Sequence, residues 1–259
     1  MIKIENLCKT FRTTEVETIA LNNVSFEIAD KEFVAIMGPS GCGKSTLLNI
    51  MGLLDNPTSG DYYLDEKEVG HLKEKDRTNV RKGNIGFVFQ SFNLIDELNV
   101  AENVELPLTY LGVPSAERKQ RVADILKRMN ISHRAKHYPQ QLSGGQQQRV
   151  AIARAIALQP QYLFCDEPNS GLDPKTSLVI DELVHDITTE YNMTTIINTH
   201  DMNSVLGIGD SILYIYQGHK EWEGNKDQVF SATNERLNNF IFASDLLRKV
   251  KTEEASKVK

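Results

Sequence analysis

The sequence predicts an α/β fold: a mostly parallel sheet, an antiparallel β subdomain at the N-terminus, and an inserted α-helical subdomain. Three observations predict it. Short apolar runs recur, among them FVAIM (33–37), IGFVF (85–89), YLFC (162–165), TTIIN (194–198) and ILYIY (212–216). Such runs mark strands whose two faces are both covered. Segments of helical spacing alternate with them, as in a sheet clad by helices. Between about Ser91 and Leu158 the strand-like runs vanish and helical spacing takes over.

Each element follows in turn. Ile2 to about Ile28 alternates apolar and polar residues well enough for antiparallel strands. FVAIM ends in glycine, and a helix is expected from Lys44, with Leu47, Leu48, Met51 and Leu54 at helical spacing. IGFVF ends at Gln90. Val104, Leu106 and Leu108, then Val122, Ile125, Leu126 and Met129, predict helices with breaks at Pro107, Pro114 and Pro139. LSGGQQQR (142–149) opens another helix, and Thr176 to Tyr191 forms one more. Gln217–Gly218 reads as a hairpin turn into His219–Trp222. A C-terminal helix is expected over about Asn234 to Lys249, with Leu237, Phe240, Ile241, Leu246 and Leu247 largely on one face. The last ten residues, rich in Lys, Glu and Ser, are expected to fray.

Composition excludes several classes. The chain has 259 residues, 40 % hydrophobic and 25 % charged, ordinary for a globular protein. A net charge of −6 supplies no basic footprint for nucleic acid. No run of 18 apolar residues is present, so no membrane insertion is expected. MIKIENLCKTF reads directly as a strand rather than a signal segment. Three cysteines, Cys8, Cys42 and Cys165, fit a reducing compartment, and the expectation is a cytoplasmic protein.

Chemistry concentrates in three motifs. GPSGCGKST, Gly38 to Thr46, matches G-x-x-x-x-G-K-[ST] and sits between an apolar strand and a helix. Its glycines let the N–H groups of Gly38, Ser40, Gly41, Cys42, Gly43 and Thr46 approach phosphates; Lys44 supplies charge and the Ser45 hydroxyl a Mg²⁺ ligand. YLFCDEP ends a strand in Asp166 and Glu167, at the carboxyl edge where open α/β sheets bind ligands. LSGGQQQR opens its helix with two glycines, baring N–H groups that attract phosphate. A second phosphate-reading element beside a complete phosphate loop suggests a site built from two pieces. Cys42 inside the loop is either a small residue that fits or a thiol whose pKa is lowered by Lys44 and the helix N-terminus.

With these motifs in this order, Ile2 to Gly224 resembles the nucleotide-binding subunit of ABC transporters, a phosphate-loop NTPase core. The resemblance implies one ATPase domain over 1–259: a catalytic core (1–90 and 158–225), a helical subdomain (91–157) and a helical tail (226–259). It implies Asp166 and Gln90 as Mg²⁺ contacts, Glu167 as the base that polarises the attacking water, and His200 as the switch histidine at γ-phosphate. Phe11 sits where an aromatic stacks on adenine, although core packing is an equal alternative. Ser170–Asp173 matches the D-loop, with Asp173 at the nucleotide interface. The other histidines, His71, His133, His137, His185 and His219, read as structural. Two copies would bind head-to-tail, each ATP lying between one chain's phosphate loop and Ser143, Gly144, Gly145 and Gln146 of the other. An integral-membrane permease would hold the chain peripherally on the inner face of the membrane.

Cargo gives a mixed signal. EVETIALNNVSF, IMGPSGCGKSTLLNIMGLLD and QSFNLIDELNVAENVELPL resemble the lipoprotein-release and macrolide-export subfamily. SGLD replaces the GNLD usual there, and NTHDMNSVLGIGD and NNFIFASDLLRKV resemble the phospholipid-trafficking subfamily. The shared implication is lipid-like or amphiphilic cargo. The alternative is an ATPase that relays force through a membrane partner to cell-envelope machinery.

Overall fold

The computed structural model describes residues 1–242. The first elements are β1 (Ile2–Arg12), β2 (Glu17–Ile28), β3 (Phe33–Met37), α1 (Lys44–Met51), β4 (Ser59–Leu64) and β5 (Lys67–Glu68). The middle of the chain forms α2 (Glu74–Arg81), β6 (Ile85–Val88), α3 (Val100–Tyr110), α4 (Ser115–Arg128), α5 (Gly144–Ile156), β7 (Tyr162–Asp166) and α6 (Pro174–Tyr191). β8 (Thr194–Asn198), α7 (Met202–Ile208), β9 (Ser211–Tyr216), β10 (His219–Gly224), α8 (Lys226–Ser231) and α9 (Glu235–Ile241) complete it. The chain divides into two compact units: Met1–Leu72 with the chain from Asn198 onward, and Lys73–Ile197.

The first unit holds the antiparallel sheet in the order β2-β1-β4-β5. Ile2 pairs with Ile28 on one side and Leu64 on the other. Along β2 Val24, Phe26 and Ile28 are buried at period 2, and Leu21 is buried on the far side of a register shift. β3 is buried at every residue and runs parallel to β9, Val34 opposite Ser211. β9 turns into antiparallel β10 through Gln217 and Gly218, whose φ values of 47 and 80 make the expected primed turn.

The second unit pairs β6 parallel to β7, Ile85 opposite Tyr162 and Val88 opposite Cys165. α5 buries Val150, Ala151, Ile152, Ala153 and Ile156. Its close approach to β6 explains Gly86: a Cβ there would stand 2.7 Å from the Ala155 carbonyl. The stretch 91–157 contains α3, α4, α5 and two short 3-10 turns, with no strand.

The structure corrects two local expectations, at Pro107 and at Leu54. Pro107 lies inside α3 instead of breaking it. The helix ends three residues later, so the ring forfeits one backbone bond near the C-terminus, where helices already fray. α1 stops at Met51 and excludes Leu54, which is exposed, because Leu53 adopts φ 56 and ends the helix. α2 had no apolar period to announce it, since EKDRTNVR buries no residue. The C-terminal helix starts at Glu235 with Asn234 as its cap, and Leu237 and Ile241 are buried; Leu246 and Leu247 lie outside the described residues. No helix among the described residues is long and apolar enough to cross a membrane.

Candidate active site

The phosphate loop leaves β3 and enters α1 within the first unit. Gly38 and Gly43 hold φ values of 153 and 106, which L side chains rarely adopt. A Cβ on either would overlap a backbone carbonyl, of Ile215 and Ala20 respectively. Ser40 and Gly41 form the exposed tip, Ser45 is exposed and Thr46 half-buried. No side chain caps α1, so its first N–H groups face the loop as anion donors. Lys44 is 7 % exposed, and its ammonium donates to the carbonyls of Gly38 (2.8 Å) and Pro39 (3.1 Å). The loop therefore carries a buried cation curled over its own backbone.

Of the two readings of Cys42, the structure supports the small residue that fits rather than the thiol of lowered pKa. It is 5 % exposed, and burial pushes its pKa up against the opposing pull of Lys44. The sequence shows the nearby cation but not the depth of the side chain. Phe11 on β1 is 45 % exposed, which removes core packing as its role, and the Lys9 ammonium lies 5.0 Å from its ring centroid. His200 is exposed just past β8. The Thr199 N–H donates to Ile36 O at 3.2 Å, which places the histidine at the edge where β3 gives way to the phosphate loop.

The second unit gathers Gln90, Asp166, Glu167, Asp173 and the LSGGQ segment. β7 ends at Asp166; both acids are half-buried behind a fully buried Cys165. Glu167 adopts φ 45, a left-handed conformation uncommon for glutamate, and its carbonyl accepts the Ser170 N–H at 3.0 Å. Strain of this kind clusters at functional positions. Gln90 donates through Nε2 to Ser170 Oγ at 3.1 Å. Asp173 caps α6: it accepts from the Thr176 N–H at 3.1 Å and from the Thr176 hydroxyl, which holds its carboxyl below the usual range.

Ser143 and Gln146 form a reciprocal capping box at the start of α5. Gly144 and Gly145 have a second reason to be glycine. A Cβ on Gly145 would lie 2.5 Å from Thr176 Cγ2, and one on Gly144 would lie 3.1 Å from a Leu172 methyl. The helix start thus rests against the SGLD segment and the first turn of α6.

Three supporting residues escaped the sequence reading. Buried Asn169 donates to both carboxylate oxygens of buried Asp181, at 3.4 and 3.3 Å, and fixes the loop behind the acids to α6. Arg154 on α5 donates to the carbonyls of Asn93 (2.5 Å) and Phe92 (2.9 Å), just after Gln90. Only Asp181, an acid on the apolar side of a helical pattern, carried a sequence signal.

The phosphate loop with its buried lysine in the first unit, and the strand ending in two acids and the glycine-opened helix in the second, are each features of a nucleotide-hydrolysing cassette. The ABC transporter family model matches residues 21–170, and the chain belongs to that family as an ATP-binding, ATP-hydrolysing subunit. It is 48 % identical over 227 residues to the ABC transporter ATP-binding protein MJ0796 of Methanocaldococcus jannaschii, covering 86 % of this chain and 96 % of the relative. It is 40 % identical over 236 residues to the macrolide export ATP-binding/permease protein MacB of Brucella melitensis, covering 91 % of this chain and 35 % of MacB. The methionine import ATP-binding protein MetN 1 of Shouchella clausii is 37 % identical over 255 residues, 97 % of this chain and 73 % of MetN 1. A solved dimeric, post-hydrolysis structure of MJ0796 bound to ADP and Pi superposes with a TM-score of 0.81 at 44 % identity, covering 87 % of this chain and 99 % of that one.

Proposed function

We propose that this subunit powers an integral-membrane permease that moves lipid-like or amphiphilic cargo, by forming a head-to-tail dimer around ATP. The cargo reading rests on the MacB-like first half of the sequence and the phospholipid-trafficking resemblance of the second. It is sharper than the relatives' names, which span macrolide export and methionine import. The dimer reading is supported by the dimeric MJ0796 cassette with ADP and Pi. In this reading the helical stretch 91–157 faces the permease, and the chain sits on the inner face of the membrane through that partner.

The observation that carries the proposal is the second phosphate-reading helix start. At the start of α5 Ser143 is exposed and Gly144, Gly145 and Gln146 are only partly buried, although the chain already has a complete phosphate loop. A helix N-terminus favours an anion, and its proposed anion is the γ-phosphate held by the other copy.

The roles divide among the chain's own residues. Lys44 and the N–H groups from Gly38 to Thr46 hold the β- and γ-phosphates. Glu167, in a left-handed backbone conformation just past β7, takes the proton of the attacking water; His200 holds the γ-phosphate edge; Asp173 lies at the dimer interface. The donors proposed for Mg²⁺ are the Ser45 hydroxyl, the Asp166 carboxylate and the Gln90 carbonyl oxygen. All are hard oxygens, and the Gln90 nitrogen already donates to Ser170, so the set fits Mg²⁺. The ion, when bound, supplies charge neutralisation at the phosphates.

Glu167→Gln tests the assignment. Removing a general base is expected to slow turnover at least about a hundredfold, and ATP should then hold the variant as a dimer in size-exclusion chromatography. Turnover at the wild-type rate would remove Glu167 from the role.

A further inference from the structure

Lys9 is tied down more firmly than a surface lysine. Its side chain is 12 % exposed and forms an ion pair with Asp55 at 2.7 Å. The same ammonium donates to the Asn56 carbonyl at 2.7 Å and lies 5.0 Å from the Phe11 ring centroid. The anchor leads onward. The Leu54 and Asp55 N–H groups both donate to the Asn49 carbonyl, at 2.8 and 3.3 Å, and Asn49 belongs to α1. One unbroken run of contacts therefore joins the Phe11 ring to the helix that begins at Lys44.

A nucleotide carries its base and its phosphates at a fixed reach, so a site that reads both ends gains from holding its two platforms in register. From this geometry we infer that Lys9 is a positioning residue for the base end of the nucleotide. Its ammonium holds the Phe11 ring by a cation–π contact and locks the ring to α1, leaving the exposed part of the ring for a purine. The inference rests on the reading of Phe11 as the base-stacking residue.

A double-mutant cycle in steady-state ATPase assays tests it, with the full chain carrying Lys9→Met, Lys9→Arg, Phe11→Ala or Lys9→Met with Phe11→Ala. Lys9→Met is expected to raise KM for ATP about three- to fivefold, the size of one partly desolvated cation–π contact, with little change in kcat. Lys9→Arg should restore most of the loss, because a guanidinium can hold both the carboxylate and the ring. Asp55→Asn, which loosens the anchor but keeps the cation, should shift KM in the same direction by less. In the Phe11→Ala background Lys9→Met should add nothing. An equal rise in KM in both backgrounds would overturn the inference, since Lys9 would then act without the ring. A fall in kcat at constant KM would overturn it too. If Phe11→Ala leaves KM unchanged, the base-stacking reading fails first and separately, and the inference falls with it.

Discussion

The phosphate loop and the LSGGQ segment both bare a helix N-terminus, yet they are built in opposite ways. In the phosphate loop the backbone does the shaping. Gly38 and Gly43 sit in conformations reserved for glycine, each against a carbonyl, and the lysine is bound by loop carbonyls. In the LSGGQ segment side chains do the shaping. Ser143 caps through Gln146, and Gly145 meets a threonine methyl rather than main chain. Gln90 with Ser170 and Asp173 with Thr176 follow the same pattern. A clash with main chain is relieved only by moving the backbone, whereas a clash with one side chain is relieved by changing that residue. In the proposed function the main-chain half holds the nucleotide and the side-chain half makes the contact formed and broken in each cycle.

Substituting the glycines is the strongest way to break this comparison. Gly43→Ala places a Cβ against the Ala20 carbonyl at a φ of 106, and the expected loss of ATPase is about a hundredfold or more, with no neighbouring side-chain change able to repair it. Gly145→Ala should cost less, about tenfold, because its obstacle is one methyl group. Thr176→Ser removes that methyl and should return most of the activity. Recovery of Gly43→Ala by a side-chain change, or failure of Thr176→Ser to rescue, would erase the distinction. The smallest effect concerns Cys42. Its pKa is raised by burial, so at neutral pH it holds less thiolate than a free thiol. Alkylation followed by peptide mapping should find it slower than free cysteine at neutral pH, quickening only above the ordinary thiol range. Fast labelling at neutral pH would show the Lys44 charge winning over burial.

The same contrast governs how much was legible beforehand. The residues proposed to meet the nucleotide carry local patterns of their own: Gly38, Gly43, Lys44 and Ser45 by spacing, Asp166 and Glu167 by ending an apolar strand. The sheet strands were legible because FVAIM and TTIIN are buried at every position. Residues whose role depends on depth were not. The neighbours of Cys42 in sequence leave two readings open, and its burial decides for the small residue that fits. Asn169 and Arg154 act on groups 12 and about sixty residues away, at Asp181 and at Phe92 and Asn93, and no local pattern encodes such a pairing. Helix α2 stayed hidden because nothing in it is buried, and Pro107 misled because a proline near a helix end costs less than one at its centre.

The central claim is that each site takes its phosphate loop from one copy and its LSGGQ segment from another. Lys44→Ala cripples the first element and Ser143→Arg the second, so each variant alone should be inactive. Mixed together, heterodimers regain one site with both elements intact. ATPase activity that reappears on mixing is the expected result. Two folded variants that stay inactive at every mixing ratio would contradict the composite site.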